Sequence, residues 1–341
     1  DGLIGLAVDP NYTKNNWIYL FYATNNGKIQ QHISRFTLKD DVLDMASEKI
    51  LLTVPTDQSC CHSGGSLEFG PDGNLFIGLG DNTNPFESAG FAPIDEREGR
   101  NFWDAQKSAG NTNDLRGKIL RIKPEDDGTY SIPDGNLFPK GTPNTRPEIY
   151  VMGNRNPYRI SVDSRTGFLY WGEVGPDASK DSIWGPMGYD EFNQAKKAGN
   201  FGWPLFIGDN YAYNNYNYET GESGPAFDPA KPMNTSRNNT GLTELPPAMP
   251  AYVYYPYDET YTKKYIEKAW IHLSPKNHVY VAVQGTEIVG AYIFRANQPG
   301  YGAHIANASY MVKTEKRGQR IGHQLCAHSV EMAKEAGFRG M

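Results

Sequence analysis

The chain has few cysteines, no excess of positive charge and no long apolar run, and each shortage closes off a class of protein. Its 341 residues hold only Cys60, Cys61 and Cys326, which rules out a disulfide-stapled scaffold. A ring through two adjacent cysteines is strained, so Cys60 and Cys61 are expected as a reduced pair; a soft-metal site is the alternative. Cys326 is expected as a small residue of a helix core. The net charge of -6 supplies no broad basic face, so nucleic acid is not an expected partner. No stretch reaches the roughly 20 apolar residues of a membrane helix, so no membrane span is expected. No signal peptide is visible within the sequence.

Turn formers and aromatics are abundant: 36 Gly, 23 Pro and 22 Tyr. That balance points to many short strands, a mainly β fold. One pattern recurs. Leu6-Ala-Val-Asp-Pro precedes Trp17-Ile-Tyr-Leu-Phe-Tyr, Leu67-Glu-Phe-Gly-Pro precedes Leu75-Phe-Ile-Gly, and Ile160-Ser-Val-Asp-Ser precedes Phe168-Leu-Tyr-Trp. Each predicts a hairpin, and repeated hairpins with long polar inserts, near 81–116 and 205–250, predict a β-propeller. A β-sandwich is the alternative. Near residue 258 the character changes to an α/β pattern. A helix-like stretch at Tyr261–Ile271 precedes strand-like runs from His278 and Ile288 and an amphipathic helix over 320–337. The expected division is therefore 1–257 and 258–341.

The stretch richest in chemistry is Cys60-Cys61-His62-Ser63-Gly64-Gly65, followed by a hairpin that ends at Asp81. Gly70-Pro71-Asp72-Gly73-Asn74 is turn chemistry, so His62 and Asp81 can meet at one end of the hairpin, a proton acceptor beside an orienting carboxylate. The alternative is two unrelated loop residues. Downstream, Arg155 and Asn156 in Gly153-Asn-Arg-Asn-Pro157 can hold a carboxylate or a developing oxyanion. Gly175, Pro176, Asp177, Asp190 and Glu191 offer carbonyls and carboxylates suited to Ca²⁺; the alternative is a solvated acidic loop. Gly199-Asn-Phe-Gly-Trp203-Pro204 reads as a structural turn with a buried aromatic.

These stretches, with Arg116-Gly-Lys-Ile-Leu-Arg-Ile and Asp190-Glu-Phe-Asn193, stand in the order seen in the glucose/sorbosone dehydrogenase family, which residues 1 to about 257 resemble. The resemblance implies a six-bladed-type propeller, here incomplete at both ends, of periplasmic or secreted location. It implies oxidation of a sugar or related alcohol with pyrroloquinoline quinone (PQQ) and Ca²⁺, and an electron acceptor the sequence does not name. On this resemblance His62 is the base, Asp81 orients it and Arg155 stabilises charge on the quinone oxygen. Asp81, Arg155 and Asn156 contact the quinone, and Gly175 and Pro176 supply carbonyls to Ca²⁺. A non-catalytic propeller that binds carbohydrate or protein is the alternative function.

Residues from about 258 to 341 resemble a GNAT-type N-acetyltransferase, here an incomplete one. The resemblance rests on Glu287-Ile-Val-Gly-Ala-Tyr-Ile, Asn297-Gln-Pro-Gly-Tyr-Gly, Ala308-Ser-Tyr-Met-Val312 and Arg317-Gly318-Gln319-Arg320-Ile321-Gly322. It implies capture of the acetyl-CoA pyrophosphate by the last of these at a helix N-terminus. Arg320 stands where the family pattern has Gly. A chain joining two incomplete folds is expected to be a fragment or chimera.

Overall fold

Short strands broken by Gly, Pro, Asn and Asp build the first of two units, Asp1–Tyr257; Asp258–Met341 forms the second. The computed structural model describes residues 2–24, 28–57, 61–256, 278–296, 306–316 and 318–339. Strands β1 (Leu3–Val8), β2 (Trp17–Thr24), β3 (Gln30–Lys39) and β4 (Val42–Pro55) pair in chain order as an antiparallel sheet. Next come β5 (Ser66–Phe69), β6 (Leu75–Leu79), β7 (Lys118–Pro124), β8 (Tyr130–Ser131) and β9 (Ile149–Met152). After them follow β10 (Pro157–Val162), β11 (Leu169–Glu173), β12 (Tyr189–Ala195) and β13 (Gly199–Asn200). The second sheet runs β13-β9-β7-β6-β5, with β8 paired to β7 and β13 parallel to β9. All three recurring patterns form antiparallel hairpins: β1–β2, β5–β6 and β10–β11.

Leu75-Phe-Ile-Gly-Leu makes β6, and every residue of it is buried. A continuous apolar run suits a strand with neighbours on both edges and packing on both faces. Leu75, Ile77 and Leu79 share one core with Phe21, Ile33 and Met152. Phe76 points the other way, into a second core with Tyr150, Ile160 and Trp171. The central hairpin is thus clamped from both sides, which fixes where its ends lie.

The insert over 205–250 is not only loop. It carries two small hairpins, β14 (Phe206–Ile207) with β15 (Tyr211–Ala212) and β16 (Asn214–Asn217) with β17 (Glu222–Ala226). The two inserts are also knitted together. Asp104 Oδ2 accepts hydrogen bonds from Ser236 Oγ at 2.6 Å and Asn238 Nδ2 at 2.9 Å. Asn234 Nδ2 donates to the carbonyls of Gln106 and Gly110 at 2.8 and 2.9 Å. β18 (Val253–Pro256) then completes the third sheet, β10-β11-β12-β18.

In the second unit β19 (His278–Gln284), β20 (Glu287–Ala296) and β21 (Ala306–Val312) form an antiparallel sheet. Helix Ile321–Glu335 packs on it through Ile321, Leu325 and Ala333 against Tyr292 and Phe294. Its buried stripe is Ile321, Leu325, Ser329 and Ala333, spaced by four. This corrects the core position expected for Cys326, which is a free, exposed thiol; Val330 and Ala336 are exposed too. One residue past Leu325 turns about 100° from the stripe, which carries Cys326 off the core. The helix expected at Tyr261–Ile271 and the stretch Asn297-Gln-Pro-Gly-Tyr-Gly lie outside the described residues. Among the described residues no helix is long and apolar enough to cross a membrane.

Candidate active site

The β5–β6 hairpin brings its two flanks together, and glycine makes the approach possible. A Cβ on Gly80 would lie 1.8 Å from the His62 carbonyl oxygen, and one on Gly64 would lie 2.6 Å from that of Gly78. Cys61 and His62 take positive φ values of 74° and 51°, which turn the chain back toward the strand end. The outcome is a hydrogen bond of 2.7 Å between His62 Nδ1 and Asp81 Oδ1. The His62 side chain is 9% exposed and that of Asp81 fully buried. With Nδ1–H donating to the carboxylate, Nε2 is the ring nitrogen left to accept a proton.

Asp81 is held on every side. Its Oδ1 also accepts from the Thr83 amide at 2.9 Å, and its Oδ2 accepts from the Trp203 indole Nε1 at 2.8 Å. The Asp81 amide donates to the Arg155 carbonyl at 2.8 Å, which ties the hairpin to the loop before β10. Asn156 Oδ1 accepts from the Gly64 amide at 3.1 Å, a second tie. Arg155 Nη1 donates to the Val174 carbonyl at 3.0 Å, and its guanidinium lies 5.9 Å from the centre of the Trp203 ring, within cation–π range. The Gly175 amide donates to Asp190 Oδ1 at 2.9 Å. His62, Asp81, Arg155 and Asn156 therefore belong to one connected set of contacts that reaches Val174, and Gly175, bonded to Asp190, follows Val174 in the chain.

The carboxylates of the acidic stretch do not gather. Asp177 is exposed. Glu191 is no loop residue: it lies within β12, turned inward, accepting from the Gly208 amide at 2.6 Å and Asn193 Nδ2 at 2.9 Å. Strand alternation gives the reason, since Glu191 and Asp190 must face opposite ways. Among the described residues no group of three or more His, Cys, Asp or Glu is placed to hold a metal ion. Burial pushes Glu191 up to about 7. Burial, then the Glu191 charge, pushes Glu173 well above the usual carboxylate range. Glu173 accepts from the Asn156 amide and, at 3.3 Å, from Trp171 Nε1.

Three features escaped the sequence reading. Trp203, taken as structural, reaches the buried carboxylate. Glu173 sits behind Asn156, with no signal beyond an acid at a strand end. Cys61 is disulfide-bonded, which overturns the reduced state expected there.

At the other candidate site, Gly318 and Arg320 take φ values of 81° and 60°, and Gln319 and Arg320 are exposed ahead of the helix. Ile321 packs into the core, and a Cβ on Gly322 would meet only Val312, at 3.7 Å. Arg317 lies outside the described residues.

The chain matches two known families. Residues 1–244 match the family model for glucose/sorbosone dehydrogenase, and residues 244–341 match that for the acetyltransferase (GNAT) family. The second match begins before β18, which the fold pairs with β12 of the first unit. The chain is 27% identical over 215 residues to aldose sugar dehydrogenase YliI of Escherichia coli, covering 62% of this chain and 48% of that protein. It is 27% identical over 271 residues to quinoprotein glucose dehydrogenase B of Acinetobacter calcoaceticus, covering 74% and 52%. It is 32% identical over 175 residues to Hedgehog-interacting protein of Homo sapiens, covering 48% and 22%. The chain thus spans about half or less of these relatives' lengths. With its first 244 residues matched as one family, and His62, Asp81, Arg155 and Asn156 joined in one set of contacts, the chain belongs to the glucose/sorbosone dehydrogenase family.

Proposed function

We propose that the first unit is built to oxidise a sugar or related alcohol, with His62 as the base, and that its sheets are blades of a six-bladed-type propeller. The observation that carries the reading is the 2.7 Å hydrogen bond between His62 and the buried Asp81. It fixes the imidazole with Nε2 as the proton acceptor. Oxidation of an alcohol removes a proton from oxygen and a hydrogen with its electron pair from carbon, leaving a carbonyl. His62 Nε2 takes the proton; Asp81 stabilises the imidazolium that forms.

PQQ with Ca²⁺, when bound, supplies the two-electron acceptor. The donor set suits an anionic quinone. Arg155 is 5% exposed, and among the described residues it makes no salt bridge and donates only to the Val174 carbonyl, with the buried Glu173 near enough to feel its charge. A buried guanidinium so little neutralised favours an anionic ligand. Asn156 would help to hold it, and the Gly175 and Pro176 carbonyls would be the oxygens that hold the cation. The two four-stranded antiparallel sheets have the form of propeller blades.

The test is reduction of an electron-accepting dye by the full chain supplied with PQQ, Ca²⁺ and an aldose. Turnover is expected in the wild type and lost in His62→Ala. A wild type that binds sugar yet reduces no dye would favour the non-catalytic alternative. For the second unit, the positive-φ turn at Gly318 and Arg320 opening a helix supports acetyl-CoA binding at 318–322. Calorimetry that detects no acetyl-CoA binding would dispose of that reading.

A further inference from the structure

We propose that Trp203 is a positioning residue for the base: its indole N–H locks the Asp81 carboxylate so that His62 is held in the tautomer with Nδ1 protonated and Nε2 bare. The inference rests on His62 being the proton acceptor, and it assigns a task to a residue that the sequence marks only as part of a tight turn.

The accounting starts at Asp81. A carboxylate buried from all solvent must find its hydrogen bonds within the protein. Oδ1 has two donors, His62 Nδ1 at 2.7 Å and the Thr83 amide at 2.9 Å. Among the described residues Oδ2 has one, Trp203 Nε1 at 2.8 Å. Trp203 is itself 3% exposed. Its backbone amide donates to the Gly153 carbonyl at 3.1 Å, and its ring meets Tyr213 edge-on at 6.1 Å. The indole therefore cannot follow Asp81 if the carboxylate turns; it pins Oδ2 from a fixed point. Indole is a donor only, so the contact has one polarity: Oδ2 must accept. With both oxygens so occupied, the group left to donate to Oδ1 is His62 Nδ1–H, and that choice leaves Nε2 with its lone pair.

Removing the indole N–H leaves Oδ2 buried without a donor. The carboxylate can then recover a partner only by turning, which loosens the His62 bond and lets the second tautomer in. A ring placed there for packing alone would have no such effect, because Phe fills most of the same space.

The experiment uses the full chain with ¹⁵N-labelled histidine, the His62 resonances being identified by their loss in His62→Gln. At pH 8 long-range proton–nitrogen correlation should show His62 as a single tautomer, protonated at Nδ1. In Trp203→Phe a mixture of both tautomers is expected. With quinone, Ca²⁺ and sugar supplied, kcat should fall by about 10²-fold, the scale of an ångström-level misplacement, with KM little changed. If Trp203→Phe fails to fold, benzothienylalanine at position 203, with sulfur in place of N–H, gives the same readout in an isosteric ring. A variant that melts like wild type and keeps the single Nδ1–H tautomer overturns the proposal. The tautomer needs neither quinone nor sugar. A shift of tautomer in a chain that never oxidises sugar would sustain the positioning role and remove the dehydrogenase reading alone.

Discussion

Glu173 and Glu191 stand directly opposite each other across β11 and β12, and both are buried. Like charges so placed repel, and neither has water to screen it, so burial and proximity both favour the protonated acids. The acids therefore bear on stability as much as on the site in front of them.

The pair makes stability fall as the solution turns alkaline. Burial holds Glu191 at about 7, above the ordinary carboxylate range that governs the unfolded chain. Its contribution is complete below about pH 4.3 and is lost as pH rises through about 7. Asp57, Asp95, Asp114 and Glu148 are shifted down instead, so they titrate below this window. Melting temperatures between pH 5 and 8 should drop in the wild type and drop less in Glu191→Gln. Parallel pH profiles for the two proteins would refute the assignment.

Lys118 is expected to be among the most costly side chains to remove. It is fully buried, and its Nζ donates to the carbonyls of Ser108, Ala109 and Arg116 at 2.7, 3.1 and 2.8 Å. Burial pushes it down to about 7, yet three acceptors call for the three N–H donors of the ammonium form. Lys118→Met keeps most of the side-chain length and strands the buried carbonyls of Ala109 and Arg116, while that of Ser108 keeps the Asn111 amide at 3.0 Å. A loss of about 3 kcal/mol or more, read by urea unfolding, is expected; a loss under about 1 kcal/mol would show that the carbonyls find other donors.

Arg320 occupies a backbone conformation that suits glycine. At φ 60° and ψ 14° it is left-handed, which costs a side-chain-bearing residue about 1–2 kcal/mol. Arg320→Gly should slow hydrogen exchange along Ile321–Glu335 and raise the stability of the second unit by about 1 kcal/mol. Faster exchange in the variant would mean that the arginine side chain contributes more than its backbone costs.

Much of this was legible in the chain. Gly70-Pro71-Asp72-Gly73-Asn74 prescribes a hairpin, and a hairpin brings its flanks together, so His62 and Asp81 could be paired before any coordinates. Arg155 and Asn156 were legible as an anion-holding pair, but a role beside a quinone came only from the order of motifs shared with a family. Glu191 was read as a calcium donor or part of a solvated acidic loop, because a run of acids does not disclose that strand alternation turns one of them inward. Trp203 was out of reach for a different reason: it lies 122 positions from Asp81, and no local pattern encodes which distant donor will meet a buried oxygen.

That separation has a consequence for how the protein is made. Chains emerge from the ribosome at roughly 5–20 residues per second, so the 122 residues between Asp81 and its indole donor take roughly 6–24 s to appear. The hairpin and the histidine can be in place long before then. The bonds from Asn234, Ser236 and Asn238 to the earlier insert come later still. A nascent chain that ends just short of Trp203 therefore carries the dyad with one carboxylate oxygen still unclaimed.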